Sequence, residues 1–465
     1  MTKTLTGKSR RAGNRPSLDV AGLRVLVVGA ARTGAATANF LARRGADVTV
    51  TDLRSRDVLQ ARLGTLERSV QCEFGGHRRE TFLSRDLIVP SPGVPGDDPL
   101  LIEAERAGVA VLSEVELASR FMPLPVIAVT GTNGKSTTVT ALGEVLREAG
   151  IPARVGGNIG NPLIGEVDRL EGVEYVVAEI SSFQLEWIET FRPEIAALLN
   201  ISEDHLDRYR TFDEYVDAKA RIFENQGPDD YLVLNADDTL VREVASRARS
   251  RKVWFSRRIT PLFGVYLFRG WIHSRLGRGA GRRVMPVEEM RIVGEHNWEN
   301  ALAVTALSML AGADAGSVRR ALGRFRGLPH RTEFVREKDG VKYYDDSKAT
   351  NVGATARTVA GFKEPLVLIA GGRDKGGSYG PLVPLVQGRV SKLVVMGEAA
   401  GRIAEELGGA VEAVRVGGME EAVAAAAGAA SGGGSVLLSP ACSSFDSYRD
   451  YAERGRHFQD EVRKL

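Results

Sequence analysis

Cysteine is scarce: Cys72 and Cys442 are the only two in 465 residues. They lie far apart, which leaves no disulfide framework and no zinc-ligand spacing, and such usage fits a reducing cytoplasm. Long apolar runs are missing as well. None approaches the roughly 18 residues that a spanning helix needs, so membrane insertion is not expected. Neither sign of charge dominates, with 62 Lys and Arg against 59 Asp and Glu, and that balance argues against a nucleic-acid partner. Met1 to Arg15 is polar and basic without an apolar signal core, so residues 1–20 read as a disordered basic tail. The remaining composition is that of a soluble globular protein, and its length asks for about three domains.

What is present centres on residues 124–140. Val126 to Val129 form a short apolar run of the kind that makes a buried strand. A turn follows with Gly131, Thr132, Asn133, Gly134, Lys135 and Ser136, and a helical pattern starts near Thr137. Strand, glycine turn and helix N-terminus make an anion site, because free N–H groups and the positive end of the helix dipole face the phosphates. Lys135 adds a point charge for the β/γ-phosphates, and the Ser136 or Thr137 hydroxyl suits Mg²⁺. The usual loop of this kind begins with a glycine where this chain has Val129, so the variant is a shorter one. We read it as an ATP site.

Upstream, Leu23 to Asp52 reads as one βαβ unit, with a helix from Ala30 to Arg44 between two strands. Gly29 and Gly34 occupy its first turn, but Ala31 stands where a dinucleotide fingerprint places its second glycine, which weakens an NAD site. Asp52 still falls where a ribose-binding acid would. A second strand-end turn runs through Ser91, Pro92 and Gly93. Met122 to Pro125 breaks structure and sets the first domain at 21–121.

Past the phosphate loop, Gly156 to Pro162 is a glycine-rich loop suited to clasping a substrate, with Asn158 inside it. Glu179 lies near the end of the apolar strand Tyr175–Ile180; an acid there is either metal-bound or in a buried salt bridge. A carboxylate-rich loop around His205 follows the strand 196–200. Thr211 and Glu214 form a capping box, and on the helix they start, Tyr215, Lys219, Ile222 and Phe223 share one face. Periodicity leaves open whether Lys219 snorkels outward or turns inward with a depressed pKa. Residues 231–293 look β-rich and irregular. Asn297 and Asn300 then stand one helical turn apart, able to present two amides to one ligand edge, although capping also accounts for Asn297. The central domain is set at 122–327.

The third domain, 328–465, carries Arg331 and then a short strand ending in Asp345, Asp346, Lys348 and Thr350. Further strand-plus-turn units lie at 365–375, 392–397 and 435–444, with helices between them. The polar ends of such strands are where parallel sheets bind ligands.

The ordered set of motifs at 130–137, 156–160, 179–185, 200–208, 294–300, 328–331, 345–351 and 438–446 resembles the Mur ligases, from about Leu23 to the C-terminus. The segments Ser181–Leu185 and Ser439–Cys442 are most similar to the D-glutamate-adding member. The resemblance implies an α/β chain of three domains: an N-terminal Rossmann-like domain, a central P-loop ATPase with a mainly parallel sheet, and a C-terminal Rossmann-like domain. It implies ATP, D-glutamate and UDP-N-acetylmuramoyl-L-alanine as substrates, an acyl-phosphate route and a monomer. The UDP part would contact Arg32, Thr33, Asp52, Arg54, Ser91, Pro92, Gly93 and Asn158. ATP would contact residues 131–137, Asn297, Asn300, Arg331 and Asp346. D-Glutamate would contact Lys348, Thr350, Lys375, Ser444, Phe445 and Tyr451, the last at a position where the family carries Phe.

Of two Mg²⁺ ions, one would be held by Ser136 or Thr137 and Glu179, the other by His205 and a carbamylated Lys219. Lys135, Glu179, His205 and Lys219 would form the catalytic group. Three rival readings are a folylpolyglutamate-synthase-like ligase, an ATPase that switches a partner, and an NAD-linked enzyme. The second leaves the first domain and the 345–350 cluster without a role, and the third is disfavoured by Ala31.

Overall fold

The computed structural model describes residues 18–465 apart from 206, 207, 278, 280, 293, 364, 375 and 431. Three sheets follow one another along the chain. The first contains β1 (Arg24–Val28), β2 (Asp47–Asp52), β3 (Gln71–Phe74), β4 (Leu87–Pro90) and β5 (Ala110–Val111). Its order is β3-β2-β1-β4-β5 and every pair is parallel. The order reverses between β1 and β4, which opens a crevice at the strand ends where ligands sit in such sheets. Arg32 and Thr33 open the helix Arg32–Arg43 that follows β1, and the turns after β2 and β4 carry Arg54 and Ser91 to Gly93. Residues 1–17 of the expected tail lie outside the described residues; Leu18 and Val20 pack against the first core.

The central sheet is built from β6 (Val126–Thr130), β7 (Ala153–Gly157), β8 (Tyr175–Glu179), β9 (Ile195–Leu198), β10 (Tyr231–Asn235), β11 (Arg251–Ser256), β12 (Gly264–Phe268), β13 (Trp271–Arg275) and β14 (Arg282–Pro286). Their order is β14-β13-β12-β11-β10-β9-β6-β8-β7. Helices cover both faces of its parallel part, so β6 is buried along its whole length and its sequence is a continuous apolar run rather than an alternating one. The irregular stretch after residue 231 extends this same sheet, its last strands antiparallel.

The third sheet has β15 (Glu333–Lys338), β16 (Val341–Asp345), β17 (Leu366–Gly371), β18 (Val390–Met396), β19 (Ala413–Arg415) and β20 (Ser435–Leu438), in the order β15-β16-β20-β17-β18-β19. All pairs are parallel except β15 with β16. One apolar cluster runs from the first sheet into one face of the central sheet, joining Val27 and Val50 to Ala128 and Val176. The third sheet keeps its own clusters. Among the described residues, no helix is long and apolar enough to cross a membrane.

Candidate active site

β6 ends at Thr130, and the chain turns through Gly131–Gly134 into the helix Lys135–Glu148. Gly131 and Gly134 take φ of 149° and 87°, a region that costs any residue with a Cβ. At Gly134 a Cβ would also lie 2.4 Å from Asn300 Oδ1. No side chain caps the helix, so its first N–H groups remain for an anion. Asn200 pins the turn: its carbonyl and Oδ1 accept from Thr132 N and Asn133 N at 2.9 and 2.8 Å.

Lys135 folds back over this turn, donating to Gly131 O at 2.7 Å and Thr132 O at 3.0 Å. Burial lowers its pKa, partly offset by Glu179. Lys219 is 1% exposed and donates to the same Gly131 carbonyl at 3.1 Å. Its ammonium lies 4.4 Å from the Tyr215 ring centre. The inward reading of this lysine therefore holds. Burial, then the charge of Lys135, pushes its pKa well down. His205 also packs near Tyr215, with ring centres 6.4 Å apart, and takes a left-handed φ of 56°. Its backbone N–H donates to Asp204 Oδ1 at 3.0 Å.

The expected metal residues can be tested against oxygen satisfaction. β6 and β8 pair so that Val129 faces Glu179, which brings the strand-end acid beside the phosphate turn. Glu179 Oε1 accepts from Asn158 Nδ2 at 2.7 Å, while Glu179 Oε2 and Thr137 Oγ1 are buried without a hydrogen-bond partner among the described residues. Such orphans are costly in a folded protein. Both are hard oxygen donors of the kind Mg²⁺ takes, so these residues fit the ion. A different group, His330, Glu333 and Asp345, is the His/acid cluster found among the described residues. His330 Nδ1 lies 2.6 Å from Asp345 Oδ2, and Glu333 accepts from His330 N at 2.8 Å, so internal bonds occupy these groups.

A narrow cleft lies between the phosphate turn and the third domain, lined by Asn133, Gly134, His296, Asn300, Arg331, Asp346 and Arg357 among others. Asn300 donates to Asn297 Oδ1 at 3.2 Å, so the two amides do share one face. Asp346 accepts from Thr332 N at 3.1 Å and Ser439 Oγ at 2.8 Å; burial pushes its carboxyl up to about 6. Arg331 keeps a buried Nε without a partner among the described residues. It sits between two left-handed residues, His330 at 61° and Thr332 at 47°, a strain found where a side chain must be aimed.

On the third domain, Lys348 reaches across to the phosphate turn, with Nζ 3.2 Å from Ser136 Oγ. Burial, then Arg331, lowers its pKa to about 8. Tyr451 lies near it, the ammonium 5.3 Å from the ring centre. Thr350 N donates to Lys348 O at 2.9 Å. Ser444 is buried and Phe445 is 61% exposed. Lys375 lies outside the described residues.

In the first-domain crevice Asp52 and Arg54 are spent on each other, with bonds of 2.8 and 2.6 Å, and Asp52 Oδ2 also accepts from Ala30 N at 2.8 Å. Burial alone would raise the Asp52 carboxyl; the Arg54 and backbone bonds hold it well below the usual carboxylate range. Arg32 is exposed, Thr33 O accepts from Thr37 Oγ1 at 2.9 Å, and Ser91 Oγ donates to Gly29 O at 3.2 Å.

Sequence reasoning missed Arg454. It is 1% exposed and donates to Ser347 Oγ and O at 2.9 Å each, and to the carbonyls of Gly371, Cys442 and Ser443. One guanidinium thus joins the Lys348 loop to the Ser444 loop. The register of Phe458 and Val462 on the last helix, which puts residue 454 on the buried face, is the signal that pointed to it.

Family models match along the chain: Mur ligase MurD-like, N-terminal domain at 23–113, Mur ligase middle domain at 129–308, and Mur ligase, glutamate ligase domain at 330–442. UDP-N-acetylmuramoylalanine–D-glutamate ligase of Geobacter metallireducens is 51% identical over 449 residues, 96% of this chain and 99% of its own. Its counterpart in Pelobacter propionicus is 51% identical over 446 residues, 95% of this chain and 99% of its own. Among solved structures, UDP-N-acetylmuramate-alanine ligase from Thermotoga maritima aligns with a TM-score of 0.59 at 22% identity, over 95% of this chain and 99% of that one, a likeness of fold. The chain belongs to the Mur ligase family.

Proposed function

We propose that this protein joins the alanyl carboxylate of UDP-N-acetylmuramoyl-L-alanine to the amine of D-glutamate at the expense of ATP, a step of peptidoglycan precursor synthesis. The name of its half-identical relatives supports this substrate pair. The single observation that carries it is Lys348 of the third domain donating to Ser136 of the phosphate turn, because it brings an amino-acid-binding loop to the ATP loop. The protein acts as a cytoplasmic monomer with no nucleic-acid partner. Its domains are 21–121 for the UDP part, 122–327 for ATP and 328–465 for the amino acid.

Arg32, Thr33, Asp52, Arg54, Ser91 to Gly93 and Asn158 hold the UDP-linked acceptor. The N–H groups at 131–137 cradle the ATP phosphates, Asn297 and Asn300 meet the adenine edge, and Asp346 and Arg331 take the ribose and phosphates. Lys348, Thr350, Lys375, Ser444, Phe445 and Tyr451 bind D-glutamate. The acceptor carboxylate attacks the γ-phosphorus and ADP leaves; the D-glutamate amine then attacks the acyl phosphate and inorganic phosphate leaves. Lys135 turns from Gly131 O to the transferring phosphoryl group, where its charge is worth most. Ser136, Thr137 and Glu179 would hold one Mg²⁺, and His205 with a carbamylated Lys219 the second. Bound Mg²⁺ supplies positive charge that offsets repulsion between the anionic reactants.

The test is phosphate release from ATP with UDP-N-acetylmuramoyl-L-alanine, comparing D-glutamate with L-glutamate and other amino acids. Release that depends on both the acceptor and D-glutamate is expected. Equal release without an acceptor, or a preference for another amino acid, overturns the reading.

A further inference from the structure

Arg208 occupies the seam between the first and central domains. Its side chain is 12% exposed and that of Glu186 beside it 14%. Nε and Nη2 donate to the Glu186 carboxylate at 3.3 and 2.6 Å, and the guanidinium lies 3.9 Å from the Phe183 ring centre. Its other bonds cross the seam: Nη1 donates to Pro92 O at 2.9 Å and Nη2 to Val94 O at 2.7 Å. Those two carbonyls flank Gly93, in the turn after β4. Glu186 is fixed in its own right by the Tyr209 hydroxyl at 2.7 Å. The first-domain loop passes so close that a Cβ on Gly96 would lie 2.5 Å from Glu186 Oε2.

Arg208 also belongs to the turn that carries His205, since Arg208 N and Tyr209 N donate to His205 O at 3.0 and 3.2 Å. One planar fork therefore ties the 92–94 carbonyls to the His205 turn. A lysine cannot reproduce this, because it offers a single point charge without a fork.

We infer that Arg208 is a positioning residue that holds the Ser91–Gly93 turn in register with the His205 turn, and so delivers the carboxylate of the UDP-linked acceptor to the phosphate loop. It touches no reacting group. The inference rests on the ligase reading above. Its signature is selectivity: the acceptor meets the clamped turn, whereas ATP and D-glutamate do not. In Arg208→Lys the KM for the acceptor rises about ten-fold or more, the scale of lost charge-assisted hydrogen bonds. KM for ATP and for D-glutamate stays within about two-fold. Gly96→Ala keeps the Arg208 side chain but displaces the Glu186 carboxylate that pairs with it, and raises the acceptor KM in the same selective way by about three-fold.

The experiment is steady-state phosphate release by the full chain and both variants, varying each substrate in turn, with calorimetric binding of UDP-N-acetylmuramoyl-L-alanine in the absence of ATP. A selective loss of acceptor affinity in both variants supports the clamp. An unchanged acceptor KM in folded Arg208→Lys, or an equal loss for all three substrates, overturns it. If Arg208→Lys does not fold, Gly96→Ala decides by the same criterion. Failure of the parent protein to release phosphate in a D-glutamate-dependent way overturns the ligase reading instead, so the two failures are distinct.

Discussion

Lys135 and Lys219 donate to one acceptor, the carbonyl oxygen of Gly131, at 2.7 and 3.1 Å. Two ammonium groups at one oxygen repel, and burial pushes both pKa values down. A phosphate arriving at the turn gives Lys135 a stronger partner than a carbonyl, since charge-assisted bonds are roughly twice as strong as neutral ones.

Lys135→Ala is therefore expected to cut turnover by more than about a hundred-fold. Calorimetry should find the affinity for UDP-N-acetylmuramoyl-L-alanine within about two-fold of the parent, because the uridine site lies in another domain. A comparable loss of acceptor binding in the folded variant would place Lys135 outside the phosphate site.

For Lys219, burial under Tyr215 favours the neutral amine, which is the form that reacts with CO₂. A carbamate there would replace a cation by an oxygen anion, suited to Mg²⁺. Lys219→Ala should lose activity, and acetate or formate should partly restore it. Lys219→Arg should stay inactive, since it keeps the charge and cannot carry the carbamate. Full activity in the arginine variant sinks the idea.

The phosphate turn was legible because strand, glycine and helix signals are local. The helix carrying Lys219 was legible too, but its spacing could not tell an inward lysine from a snorkelling one; the covering Tyr215 ring decides that. Asp52 and Arg54 were read as ligand contacts, and the fold gives them to each other first. Arg208 and Glu114 escaped because their partners across the domain seam lie 116 and 50 residues away in the chain, and such a contact leaves no period in the sequence. Arg454 shares a helical face with Phe458 and Val462, but its partner Ser347 lies 107 residues away.

Lys348 and Ser444 should separate. Lys348 reaches Ser136, so Lys348→Ala should weaken the use of both ATP and D-glutamate. Ser444 lies among the third-domain loops tied by Arg454, so Ser444→Ala should raise the D-glutamate KM by about ten-fold and leave that of ATP within about two-fold. Steady-state kinetics with each substrate varied checks both, and an ATP-selective effect of Ser444→Ala would move the amino-acid site elsewhere.

Glu114 gives a pH dependence of stability. It opens the helix Glu114–Phe121, is 1% exposed, and accepts from Ile164 N of the central domain at 2.7 Å. Its other oxygen is buried without a hydrogen-bond partner within 3.5 Å among the described residues, while the Gln184 side chain and the Leu163 N–H also face the carboxylate and partly offset the cost of burial. Burial pushes the carboxyl up to about 7 from an ordinary 4.5. The folded state thus binds the proton more tightly than the unfolded chain. The resulting stabilisation is fully present below pH 4.5 and is lost as pH rises through about 7. Glu114→Gln carries no charge at any of these values and keeps an oxygen for Ile164 N. Its stability relative to the parent should therefore climb between pH 5 and 8, by roughly 3 kcal/mol at most. Denaturant unfolding of both proteins across that range measures the difference directly. A difference that stays flat or shrinks would mean that Glu114 is ionised in the folded protein throughout, and that the seam holds its charge by contacts other than the Ile164 N–H.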